Sequence, residues 1–286
     1  MEKSAELGEG LVNQKRIILF LIIIFTMLFM GCSRIDTLKV KVGLKNNDFE
    51  NIRQGRVKKI VIQSTRDKAF RFSVTDKSAI YDLYEILSSA KKVDNKSKLQ
   101  PDYIFEMYER GGKVYKFNYI AGLDKSDNGN FYSDDNVYIV SSRLDNDIIR
   151  NFWNIRKPRN FKYVYYNSIL AVLDKYLGEN DRNKSIVINL KEDIEVAKFV
   201  LSTDLEDFKN KLNEHYKNIE LNEDNSCNTV ITVKTEGYKS TVYKSLVKIK
   251  EKDSDSEKKY YVWAKYSVKD KIWSIQVYEN NKPKDF

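Results

Sequence analysis

The chain has 286 residues, 42% of them hydrophobic, 32% charged and 13% aromatic, with a formal net charge of +9. With 3 Pro and 11 Gly, this composition excludes a collagen-like or wholly disordered chain. Two Cys exclude a disulfide scaffold and a four-thiolate zinc site, and the single His215 confines any Ser-His or Cys-His chemistry to one residue.

Lys15 and Arg16 precede Ile17 to Met30, fourteen residues interrupted only by Thr26, and then Gly31-Cys32. A bilayer core of about 30 Å needs roughly 20 helical residues, so a run of this length suits a signal-peptide core better than a span. Cationic residues ahead of that core resist translocation and leave the following chain outside. Leu28-Phe29-Met30-Gly31-Cys32 resembles the lipobox of bacterial lipoproteins. The resemblance implies a diacylglyceryl group on the Cys32 thiol and cleavage before Cys32. The acyl chains, at about 0.8 kcal/mol per buried CH₂, would then hold the protein in the outer leaflet of the cytoplasmic membrane. Beyond this motif the chain resembles the extracytoplasmic lipoproteins of Gram-positive bacteria. Residues 1–31 are then a signal peptide, 32–50 a lipidated N-terminus and tether, and 51–157 and 158–286 two domains. With Cys32 acylated, Cys227 has no internal disulfide partner and is expected as a buried thiol at the start of an apolar strand.

In the first domain, Arg56 to Ile62 and Ala69 to Val74 read as strands. Thr75-Asp76 supplies N-cap chemistry for a helix with Ile80, Leu83, Tyr84 and Leu87 on one stripe. Tyr103 to Tyr108 and Lys113 to Ile120 form a hairpin around Arg110-Gly111-Gly112. A strand over Asn136 to Val140 and a helix over Asp145 to Ile155 follow, and Pro158 marks the boundary.

The second domain opens with a helix from about Tyr165 to Leu177, stopped by Gly178. The earlier pattern then returns, with strands at Ser185 to Leu190 and Val196 to Leu201 and a helix capped by Thr203-Asp204. Thr75-Asp76 and Thr203-Asp204 lie 128 residues apart, as do Val114-Tyr115-Lys116 and Val242-Tyr243-Lys244. The expectation is an α+β protein of two tandem small domains, each an antiparallel sheet packed with one or two helices in a ββαβββ-like order. Internal duplication is one reading of the register, and unrelated halves are the other. Lys259 to Val268 and Lys271 to Tyr278 form a closing hairpin whose two faces are both apolar. Its outer face carries Tyr261, Trp263, Ile272 and Tyr278, and an apolar face on both sides means either a second covering layer or a binding surface.

Asp124, Ser126, Asn128 and Asp135, with Gly129 at the turn position, fit a loosened calcium-loop pattern. Asp in place of the usual Glu, a neutral Ser and strand-like flanks weigh against it, and the same residues serve an ordinary loop. No cofactor is otherwise expected. Positive charge gathers at Arg53, Arg56, Lys58 and Lys59 and again from Lys239 to Lys271. Beside a membrane such a surface attracts anionic headgroups or an anionic wall polymer, and it also serves plain solubility. Nucleic acid is not an expected ligand for an exported chain. Asp102, Glu106 and Glu109 give carboxylate pairs too common at this charge density to nominate an acid and a base. The reading is therefore a membrane-anchored, non-catalytic binding, adaptor or sensor module with a membrane-protein or wall-polymer partner. A cell-wall hydrolase using carboxylate acid/base residues is the alternative.

Overall fold

The computed structural model describes residues 45–149, 157–178, 184–222, 227–284 and 286. The apolar run at 17–30, the lipobox with Cys32, and 33–44 of the expected tether lie outside the described residues. Among those described, no helix is long and apolar enough to cross a membrane.

Residues 45–50, expected as the end of a tether, instead complete the first core. Lys45 Nζ donates to Glu85 at 2.9 Å, and Asn46 Nδ2 donates to the carbonyls of Leu87 and Ala90. Phe49 is 2% exposed and lies against the rings of Phe117 and Tyr138. A short helix α1 (Glu50–Arg53) leads into β1 (Val57–Ser64) and β2 (Arg71–Val74), the latter starting two residues later than its pattern predicts. Helix α2 (Lys77–Ser88) then buries the expected stripe of Ile80, Leu83, Tyr84 and Leu87. Asp76 is its N-cap and accepts from Ala79 N at 2.9 Å.

β3 (Lys91–Lys92), β4 (Tyr103–Glu109), β5 (Val114–Tyr119), β6 (Phe131–Tyr132) and β7 (Val137–Ile139) complete an antiparallel sheet ordered β2-β1-β4-β5-β6-β7-β3. Strict alternation in β4 buries Tyr103, Phe105 and Met107. Gly111 and Gly112 turn the β4–β5 hairpin with φ of +105° and +88°, a region that strains any residue with a Cβ. The expected helix at 145–155 begins at Leu144 as a π-helical turn to Ile149, and Phe152 and Ile155 lie outside the described residues.

The second half begins with α3 (Phe161–Leu177), four residues earlier than its stripe suggests because Phe161 stacks on Tyr165 at 5.0 Å. β8 (Ile186–Asn189) is as expected, but Val196 to Leu201 is not a strand. It forms a 3₁₀ turn at Ala197–Phe199, and the physical reason is spacing. Val196, Phe199 and Val200 are all buried, an i, i+3, i+4 pattern that one side of a helical turn satisfies and a strand does not. Helix α4 (Ser202–His215), β9 (Ile219–Leu221) and the long strands β10 (Thr229–Lys239), β11 (Val242–Glu251), β12 (Ser256–Ser267) and β13 (Ile272–Glu279) follow.

This second sheet is ordered β13-β12-β11-β10-β8-β9 and is mixed rather than antiparallel, since β8 pairs parallel with both β10 and β9. The α4 crossover sets that direction, because it returns the chain to the end of the sheet at which β8 began. The 128-residue register therefore aligns helix starts and hairpins, α2 with α4 and β4–β5 with β10–β11, while the strand pair before the helix exists only in the first half. The protein is α+β with two sheet-containing domains and two cores, one running from Phe49 to Ile149 and the other from Phe161 to Trp273.

Gly129 shows how tightly the first core is closed. A Cβ there would lie 2.2 Å from Val137 Cγ1 and 3.0 Å from the Tyr138 carbonyl oxygen, whereas one at Gly237 would meet nothing within 4 Å. Gly129→Ala is expected to destabilise the protein by about 1–3 kcal/mol through overpacking. Gly237→Ala should shift stability by no more than about 0.5 kcal/mol. Urea unfolding midpoints measure both.

Candidate functional site

Helix α3 packs on β11, β12 and β13 and covers one face of the second sheet. Period-two alternation sends the other side chains to the opposite face. Core residues Tyr260, Val262, Ala264 and Trp273 point toward α3, and Tyr261, Trp263 and Tyr278 point away, half-buried. Register brings them together: Tyr261 stands opposite Tyr278 on one side and Leu246 on the other, and Trp263 lies between Lys244 and Gln276. Ile272, 62% exposed and opposite Ser267, sits at the far end of the hairpin and outside this group.

A hollow of about 420 Å³ opens where the C-terminal residues fold back over the face. Phe286 meets Tyr261 at a ring separation of 5.5 Å. Lys265 Nζ lies 4.0 Å and Lys244 Nζ 4.9 Å from the Trp263 ring centre, and Lys282 Nζ lies 5.1 Å from that of Phe286. Lys239 adds a fourth ammonium, and among the described residues Glu236, 3.8 Å from Lys234, is the one lining side-chain carboxylate. The Trp263 indole N–H is enclosed and has no acceptor among the described residues. The lysines gathered around these rings favour an anionic ligand in the hollow. The alternation of β12 and β13 reveals the aromatic residues in the sequence. Lys282 and Phe286 follow the last strand and carry no local pattern that would place them here.

The calcium-pattern residues lie in two connections. Asp124, Ser126 and Asn128 belong to the loop after β5, and Asp135 to the exposed β6–β7 turn. Gly129 does not adopt positive φ. Its role is close packing, and its backbone bonds to Asn95 and Ser97 fasten the loop. Among the described residues no three His, Cys, Asp or Glu side chains gather as a metal site. His215 is exposed at the end of α4. Cys227 is half-buried rather than buried, two residues before β10, with its Sγ 3.2 Å from Ser185 Oγ.

Asp102 and Glu106 do not form a catalytic pair. Glu106 accepts from Arg71 and Tyr108 at the surface. Asp102, 1% exposed, joins the two halves: Oδ1 accepts from Arg66 Nη1 at 2.6 Å and from Ser202 N at 2.8 Å, and Oδ2 accepts from Ala121 N at 2.9 Å. Arg66 Nη2 donates to Ser202 Oγ, which donates to the Gln100 carbonyl at 2.6 Å. The first N–H of α4 is thus met by a carboxylate from 100 residues earlier, and Thr203 and Asp204 lie inside the helix rather than capping it. Sequence spacing gives no hint of this, and Arg66 and Ser202 escape a sequence reading altogether.

Burial raises the Asp102 carboxyl above the ordinary aspartate range, against the opposing pull of Arg66 and the two backbone N–H groups. Its contribution to stability is therefore full in acid and lost as pH rises through the raised value. Glu251 runs the other way. The Lys184 ammonium at 2.6 Å and the Tyr176 hydroxyl hold it down to about 2, so its contribution is present above the ordinary glutamate range and lost as pH falls toward that value. Asp102→Asn is expected to remove the first dependence, so that urea unfolding midpoints across the acid range no longer carry the loss that accompanies Asp102 ionisation. An unchanged profile would show that Asp102 does not titrate there.

Residues 53–158 match the model of a family described as YhfM protein, so the stretch from the end of α1 to Pro158 is similar to that family. The match contains the first sheet and Asp102 but none of the open face of the second sheet. No curated protein and no solved structure matches the chain significantly.

Proposed function

We propose that the chain is a lipid-anchored, extracytoplasmic, non-catalytic binding module whose uncovered sheet face grips an anionic wall polymer. One observation carries the reading: on the side of β11–β13 away from α3, lysines gather around the rings of Trp263 and Phe286 at an open hollow. An anionic oxygen pairs with the ammonium groups, while Tyr261 and Tyr278 offer flat apolar area to the body of the polymer. Acylation at Cys32 would hold this face where wall polymer meets membrane, so that many weak contacts act at high effective concentration. The positive balance survives processing, because Lys3, Lys15 and Arg16 cancel Glu2, Glu6 and Glu9 within the leader. The hydrolase alternative gains nothing from the buried carboxylates, since Asp102 holds backbone N–H groups and Asp193 holds the Thr235 N–H and hydroxyl.

Cosedimentation of the protein with a purified phosphodiester wall polymer tests the face. The Lys244→Glu, Lys265→Glu double variant should bind at least about tenfold more weakly, and wild-type binding should fall as salt shortens the screening length below about 8 Å. Equal sedimentation of wild type and variant would contradict the reading. Labelling with radioactive palmitate tests the anchor: Cys32→Ala should abolish the label, and retained label would place the attachment elsewhere.

A further inference from the structure

Among the described residues the two sheets have four edges, and they are unequal. Three are short: β9 has three residues, β2 has four, and β3 is the exposed pair Lys91–Lys92. The fourth, β13, runs eight residues from Ile272 to Glu279, with no Lys, no Pro and no bulge against β12. Natural sheets blunt a long edge with those devices, and an edge without them is a template for another strand. Asn280 N donates inward to the Lys259 carbonyl, so alternation turns the N–H and C=O groups of Trp273, Ile275 and Val277 outward. The Val277 carbonyl accepts from Lys175 Nζ at 2.8 Å, and its second lone pair is left for a strand. Among the described residues no strand lies beyond β13, and the C-terminal residues turn the other way, bringing Phe286 to Tyr261 of β12 and Lys244 of β11.

The strand is complementary to itself in one antiparallel register. A two-fold axis perpendicular to the sheet lets an edge strand pair with its own copy, the same patch serving on both sides. Centred on Ile275, that pairing sets Trp273 against Val277, Ser274 against Gln276, Ile272 against Tyr278 and Lys271 against Glu279. Apolar meets apolar, polar meets polar, and a pair of opposite charges closes each end. Ile272, 62% exposed in one copy, gains the Tyr278 ring as cover. Within its own chain Glu279 directs Oε1 at Lys258 Nζ, 3.9 Å away, and at the Tyr260 hydroxyl, and a carboxylate has a second oxygen. Neighbouring registers lose the match. Centring the pair on Gln276 puts Glu279 against Trp273, and centring it on Ser274 puts Lys271 against Val277 and Ile272 against Gln276.

We propose that β13 pairs antiparallel with β13 of a second copy of this chain, centred on Ile275, and so joins two six-stranded sheets into one. Because the axis is perpendicular to the sheet, both open faces lie on the same side of the joined sheet. The inference does not depend on what that face binds. Copper-phenanthroline oxidation of the full chain in phospholipid vesicles, carrying Ile275→Cys, tests it. Opposed residues that exchange both hydrogen bonds have Cα atoms about 5.5 Å apart, inside the range of a disulfide. Peptide mass spectrometry should find position 275 joined to itself between chains. Ser274→Cys is more exposed but stands opposite Gln276 rather than its own copy, and should join at least about tenfold less. Added to Ile275→Cys, Lys271→Glu and Glu279→Lys should each cut the joined fraction at least about tenfold, because like charges then stand opposite at both ends. Mixing those two variants should restore joining between unlike chains, since each supplies the charge the other has lost. Lys269→Glu, on the same turn, should change nothing. Equal joining at 274 and 275, no recovery on mixing, or no joined chains from a folded protein would overturn the proposal.

Discussion

One buried carboxylate ties the two halves together. Asp102 leaves β4's entry and reaches the first turn of a helix that the chain makes 100 residues later, accepting there from Ser202 N and in its own half from Ala121 N. An ionised carboxylate removed from water is costly, and its attraction to Arg66 at 2.6 Å, with hydrogen bonds to both oxygens, offsets part of that cost. Removing one partner of such a buried set costs about 3–5 kcal/mol, whereas an apolar replacement for the whole set is often neutral. The clasp therefore contributes geometry more than net stability. It sets where α4 begins, which fixes the α4 crossover and the parallel pairing of β8.

The two ends of the second sheet differ in their pairing. Toward β9 the strands are parallel and short. Toward β13 they are long and antiparallel, with α3 on one face and the C-terminal residues folding back over part of the other. A sheet covered on one side alone needs a polar outer face to stay soluble, and here lysines meet that requirement while interleaving with Trp263, Tyr261 and Tyr278. The similarity to the YhfM family lies wholly in the other half. Whatever that similarity implies thus concerns the first sheet and the clasp, and the open face has to be argued from its own chemistry.

Local pattern made much of this fold legible. The stripe of α2, the glycine turn of the β4–β5 hairpin and the alternation of β12 and β13 all depend on near neighbours, and each is found where the spacing puts it. What was hidden depends on distant partners. Lys91–Lys92 is a strand because β7 lies beside it, and Phe131–Tyr132 because β5 and β7 flank it, and nothing in two residues announces a strand. Val196 to Leu201 has the β-branched residues of a strand, but its buried positions follow helical spacing. Phe49 belongs to a polar stretch that reads as a linker until its ring is seen among Phe117, Phe131 and Tyr138. The aromatic members of the candidate face follow from strand parity, while the lysine and phenylalanine that close it come from a tail with no periodicity.

Hydrogen exchange of wild type against Asp102→Ala tests the clasp most directly, because its two backbone donors are 81 residues apart in sequence and share one acceptor side chain. The account predicts that the amides of Ala121 and Ser202 lose protection together, while Val247 in the middle of β11 keeps its own. Slow exchange persisting at either amide, with the protein folded, would show that the halves are held by something other than this carboxylate.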